Sequence, residues 1–111
     1  MLRQILKKGD DMLTKKCHAV TKFDDKLALL LNDMRQTLAA SGGVGLAAPQ
    51  IGICRRVVVV LDDQENVIEL VNPEIVSSSG EQTGLEGCLS LPGRWGEVTR
   101  PMKVKVKAQD R

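Results

Sequence analysis

The stretch 42–52, Gly42-Gly43-Val44-Gly45-Leu46-Ala47-Ala48-Pro49-Gln50-Ile51-Gly52, constrains this chain more than any other. It is dense in glycine and small residues, yet it lacks the polarity of an ordinary loop. Gly42, Gly43 and Gly45 permit backbone conformations closed to other residues and let a second chain approach closely. Gln50 is the only long polar side chain in the stretch, and its amide both donates and accepts hydrogen bonds. The combination suits one wall of a peptide-binding cleft with a single aimed polar group. The same glycines also suit a tight helix-to-strand connection, a common use of such punctuation.

The residues before this stretch supply a helix. Over 24–40, Leu27, Leu30, Leu31, Met34 and Leu38 recur at three- and four-residue spacings and so share one face. Asp24 or Asp25 caps its start and suits the helix dipole, and Gly42-Gly43 stops it. Lys26, Asn32, Asp33, Arg35 and Gln36 read as its solvated face. Residues 2–13, interrupted by Gly9-Asp10-Asp11, read as an irregular arm with one short turn. His18, the sole histidine, stands beside Cys17. A histidine and a cysteine without further ligands make a poor metal site, and both read as surface residues near the arm.

Strands follow. The run Val57-Val58-Val59-Val60-Leu61 is β-branched and short, as in a strand covered on both faces. Residues 62–66 turn the chain, and 67–71 return as the second arm of a hairpin. Asn72-Pro73 is expected to interrupt that strand, with a third strand over 74–78 and a turn over 79–82. A strand over 83–89 is ended by Leu91-Pro92-Gly93. The last strands are 97–100 and 102–108. In the latter, Met102, Val104, Val106 and Ala108 alternate with Lys103, Lys105 and Lys107, predicting one buried and one wet face. The lysine row also protects against edge pairing. The expected fold class is α+β, one N-terminal helix packed on antiparallel or mixed strands.

A chain of 111 residues holds one domain. Phe23 and Trp95 are its only aromatic residues, so the core must be aliphatic. A net charge of +2 argues for neither nucleic acid nor an acidic membrane. No nucleic-acid motif is present. No run is long enough to span a membrane, and the N-terminus lacks the apolar core of a signal peptide. Cys17, Cys54 and Cys88 are widely spaced and odd in number. That usage fits a reducing cytoplasm better than a disulfide scaffold.

A second stretch gives the glycine segment a context. Residues 84–92 read Gly84-Leu85-Glu86-Gly87-Cys88-Leu89-Ser90-Leu91-Pro92. GVGLAAPQIG followed by EGCLSLP resembles the first two signature motifs of the peptide deformylases. These metal hydrolases remove the formyl group from the N-terminal methionine of new proteins. The resemblance covers nearly the whole chain, including the helix before the first motif. The family's third motif, a helical His-Glu-x-x-His, is absent from the sequence. The expectation is therefore a single, incomplete deformylase-like domain over 1–111, truncated before the metal-binding helix.

The resemblance assigns roles to residues. Cys88 matches the family's cysteine metal ligand; read alone, a strand cysteine is more often a small buried apolar residue. Iron(II) is the implied metal, and zinc, nickel or cobalt would suit similar ligands. The other two ligands and the general base belong to the missing helix. The Gln50 amide and the Leu89 backbone N–H match the donors to the tetrahedral oxyanion. Val44, Gly45, Glu86 and Gly87 fall among the positions that border an extended formyl-methionyl peptide, added as a strand. Val44 would line the methionine pocket. Glu86 would also hold its motif rigid through Arg94 or Arg100, unless it is an ordinary surface carboxylate. Arg94 and Trp95 would border the groove.

The implied partner is the N-formyl-methionyl peptide, met near the ribosome. A non-catalytic remnant, or half of a split enzyme keeping only the peptide cleft, fits the same residues. Such a chain would need a complementary C-terminal piece or would self-associate. A thiol enzyme acting through Cys88 has no evident base, because nothing places His18 near that sulfur.

Overall fold

The computed structural model describes residues 2–100 and 103–110. Met102, and the side chains of Arg94 and Trp95, lie outside what it describes. The helix α1 spans Asp25–Ser41, with the Asp24 carboxylate accepting from the Leu27 N–H at 3.1 Å. Gly42 ends it in the left-handed conformation at φ 73°, which a Cβ would penalise. All five residues of the expected apolar stripe are buried.

The polar face departs from expectation. Asp33 is buried rather than solvated, and Thr37 beside it is buried too. The N-terminal arm explains this. The Arg3 guanidinium donates to Asp33 Oδ2 at 2.7 and 2.9 Å, and the Arg3 N–H donates to Thr37 Oγ1 at 3.0 Å. A buried carboxylate is tolerable when paired in this way.

After α1 come β1 (Gly45–Ala47), a 3-10 turn (Ala48–Ile51), β2 (Val57–Leu61), β3 (Val67–Ser79), β4 (Gln82–Cys88), β5 (Leu91–Arg100) and β6 (Lys103–Gln109). Strands β1-β2-β3-β6 form one sheet in that order, and β4-β5 form a separate ribbon; every pairing is antiparallel. The α+β expectation holds. The core lies between α1 and the first three strands, where Leu46, Val57, Val59 and Val71 meet the helix leucines. Among the described residues, no helix is long and apolar enough to cross a membrane.

Several strand expectations are corrected. Asn72-Pro73 does not interrupt β3, which continues through it as a bulge where the register to β6 shifts. Asn72 takes φ 52°, a conformation that asparagine tolerates. Its N–H donates to the Arg56 carbonyl at 2.7 Å, and its amide binds both the N–H and the carbonyl of Val20. Leu91-Pro92-Gly93 likewise opens β5 instead of ending β4. The register jumps from Gly87↔Trp95 to Cys88↔Leu91, and the excess residues are absorbed there. Finally, Val104 and Val106 are exposed, as are Ile75 and Val76 on the neighbouring strand. The alternation in β6 is real, but its apolar face is not covered by the described residues. In β2, Val57 and Val59 are buried while Val58 and Val60 are only half-buried, so one face is less covered than expected.

Candidate active site

Gln50 sits in the 3-10 turn that follows β1. Its Oε1 accepts from the Ala47 N–H at 3.0 Å, which fixes the amide. Nε2 must then face the other way, and there it donates to Ser90 Oγ at 3.2 Å and lies 3.9 Å from Cys88 Sγ. The glycine stretch and the EGCLS segment are thus opposite walls of one site. Cys88 is exposed rather than packed away as an apolar residue. Ser90 is buried, and its hydroxyl joins the two walls.

Gly43 closes the corner between them. A Cβ there would stand 2.8 Å from Leu89 Cδ1, nearer than packed atoms allow. The glycine is therefore what permits Leu89 to lie against the first wall. Gly45 differs: an added Cβ would find ordinary contact with Val60 at 3.5 Å. Its importance is on the backbone. The Leu61 N–H donates to the Val44 carbonyl at 2.8 Å, so Val44 turns its carbonyl towards β2. In an antiparallel ladder the next residue points its N–H and C=O the opposite way. Gly45 thus presents both to the edge of β1 that no described strand covers. Val44 is 76% exposed at the head of this edge.

Glu86 turns to Arg100, whose Nε donates to both carboxylate oxygens at 2.6 and 2.7 Å. That hydrogen-bonded guanidinium holds the Glu86 carboxyl below the ordinary carboxylate range. Glu86 therefore braces the ribbon carrying Gly87 and Cys88. Gly87 pairs with Trp95 in that ribbon.

The N-terminal arm ties both walls together. The Leu6 N–H donates to the Gln50 carbonyl at 2.7 Å, and the Lys8 N–H donates to the Ser90 carbonyl at 2.9 Å. Sequence reasoning missed this, because backbone donors leave no side-chain signature. It also gave Ser90 no role, although that residue lies inside the second motif.

The polypeptide deformylase family model matches residues 2–111. This chain belongs to that family. It is 54% identical over 110 residues to the peptide deformylase of Caldicellulosiruptor bescii, covering 99% of this chain and 66% of that one. The chain thus spans about two thirds of that relative's length. A peptide deformylase crystal structure from Legionella pneumophila superposes with a TM-score of 0.91 at 49% identity, covering 97% of this chain and 65% of that one. A class I type b peptide deformylase from Acinetobacter baumannii, crystallised with Met-Ala-Ser bound, superposes at TM-score 0.90 with 34% identity, covering 97% of this chain and 76% of that one. The glycine stretch bearing Gln50 and the segment bearing Cys88 and Leu89 lie together within a fold shared with those deformylases.

Metal ligands are another matter. Among the described residues, no three histidine, cysteine, aspartate or glutamate side chains are grouped to hold an ion. His18 pairs with Arg55 in an isolated parallel bridge, its N–H on the Cys54 carbonyl at 3.2 Å. Cys88 is one candidate ligand where a catalytic site takes three from the protein. The described residues do not complete such a site.

Proposed function

We propose that this chain carries the peptide-binding and oxyanion-binding part of a peptide deformylase, which hydrolyses the formyl group from N-terminal formyl-methionine during protein biosynthesis. The observation that carries the reading is the fixed Gln50 amide, aimed beside the Cys88 sulfur by its bond to the Ala47 N–H. A preorganised donor at a reacting carbonyl stabilises the charge that develops on oxygen.

In this reading the formylated peptide adds as a strand along β1, bonding to Gly45, with Gly87 on the opposite wall. Val44 faces the methionine side chain. The Gln50 Nε2 and the Leu89 N–H receive the carbonyl oxygen, and Ser90 holds the Gln50 amide in place. Glu86 keeps the ribbon rigid through Arg100. Cys88 is the one ligand these residues offer to a metal, iron(II) by family likeness, with zinc, nickel or cobalt as substitutes. A second reading, peptide binding without hydrolysis by residues 1–111, is favoured by the lack of a three-ligand group among the described residues.

Formate release from formyl-Met-Ala-Ser tests both. Residues 1–111 are assayed with iron(II) under anaerobic conditions, with and without a separate peptide carrying a His-Glu-x-x-His helix. Activity only with the added peptide supports the first reading and a split enzyme. Peptide binding without formate in either arm supports the second. Failure to bind the formylated peptide in both arms overturns the cleft itself.

A further inference from the structure

Cys17 and Cys54 lie apart from the site just described, in the ribbon where the arm meets the approach to β2. His18 and Arg55 form a parallel bridge. The residues just before each, Cys17 and Cys54, are thereby set side by side, and matched residues of a parallel pair point to the same face. Strands paired this way lie about 4.8 Å apart, within the roughly 4.4–6.8 Å Cα separation that a disulfide spans. Cys54 Sγ is directed at the arm, donating to the Lys16 carbonyl at 3.4 Å. Both cysteines are partly exposed. Cys17 lines an open groove with Lys16, Arg55 and Arg56, whose cations favour an anionic reagent.

We propose that Cys17 and Cys54 form a reversible disulfide that clasps the N-terminal arm to the β2 approach, made by exchange with an anionic low-molecular-weight disulfide such as oxidised glutathione. Burial and the adjacent Cys54 side chain hold the Cys17 thiol above its ordinary pKa. Cys54, whose sulfur already faces the arm, gives up its proton and makes the first attack. Its sulfur bonds to one sulfur of the small disulfide and expels the other as a thiolate, which takes up the proton lost by Cys54. Cys17 then gives up its proton and attacks the Cys54 sulfur of the mixed disulfide. The Cys17–Cys54 bond forms, and the second small thiol leaves with that proton. Two protein thiols are oxidised and one small disulfide is reduced to two thiols. Because the arm also bonds to Gln50 and Ser90, the clasp stiffens the support of the cleft without touching Cys88.

The chain is incubated in a glutathione redox buffer, quenched by alkylation, digested without reduction and mapped by mass spectrometry. The expected product is a Cys17–Cys54-linked peptide, reversed by dithiothreitol, retained in Cys88→Ser and absent from Cys17→Ser. In the oxidised form, exchange of the His18 and Arg56 amides should slow on the order of tenfold, because local opening of the arm is suppressed. The wild-type map is decisive even if Cys17→Ser fails to fold. Persistent glutathione adducts on Cys17 and Cys54, linkage to Cys88 instead, or both thiols left reduced would overturn the proposal.

Discussion

Gln50 Nε2 bonds to Ser90 Oγ at 3.2 Å and reaches to within 3.9 Å of Cys88 Sγ, joining two segments that are distant in sequence. Because Oε1 is already bound by the Ala47 N–H, the donor direction is set before any ligand arrives. If that donor serves the oxyanion, Gln50→Ala in residues 1–111 assayed with the added His-Glu-x-x-His peptide should lower kcat for formyl-peptide hydrolysis by about 10²–10³-fold, with a smaller change in KM. Steady-state formate assays measure this. An unchanged kcat would remove Gln50 from the reaction.

Gly43 and Gly45 should respond in opposite ways to alanine. Gly43→Ala forces Leu89 aside, because the new Cβ would stand 2.8 Å from Leu89 Cδ1. It should cost about 1–3 kcal/mol in denaturant unfolding, and activity should fall with the displaced Leu89. Gly45→Ala meets only ordinary contacts and should leave the unfolding midpoint within error or slightly raised. Its effect should appear instead as weaker binding of formylated peptide, measured by titration calorimetry.

The Glu86–Arg100 pair predicts a pH dependence of defined sign. The folded-state carboxyl of Glu86 titrates below its unfolded value because Arg100 bonds to it. Its contribution is therefore present above the unfolded glutamate pKa, about 4.3, and is lost as pH falls through the lower folded value. Tm of Glu86→Gln should lie below wild type near neutrality, and the gap should close in acid. A gap that stays constant with pH would show that the pair contributes nothing through charge.

The uncovered side of β3 and β6 predicts association. Ile75, Val76, Val104 and Val106 are each 41–67% exposed. Ile75 and Val106 are paired across the two strands, and exposed apolar side chains set together in this way drive proteins together. Residues 1–111 expressed alone should elute above monomer size in gel filtration, and Ile75→Lys combined with Val106→Glu should restore the monomer. Monomeric elution of the unsubstituted chain would contradict this.

The legible parts of the fold were those written in periodicity. The leucine stripe of α1 and its Asp24 and Gly42 ends follow from spacing and capping chemistry. The facing of Gln50 and Cys88 was expected from motif likeness, not from periodicity, since no local pattern joins residues so far apart. What stayed hidden was tertiary. Asp33 has a charged side chain on a plausible wet face, and only the arm returning Arg3 to it makes burial possible. Pro73 and Pro92 read as strand breakers, yet a register shift carries β3 past Pro73, and Pro92 lies at the start of β5. Val104 and Val106 alternate as a half-buried strand should, but alternation says which side is apolar, not what covers it.

The bonds from Leu6 to Gln50 and from Lys8 to Ser90 also bear on the order of assembly. A ribosome makes the arm long before it makes Ser90. Those two donors must therefore wait, solvated, while the helix and most of the sheet emerge. The two walls of the cleft can be clamped only after the second has left the exit tunnel. The site's final rigidity thus depends on two segments made far apart in time, so stalled chains ending before residue 90 should hold Gln50 on one side only.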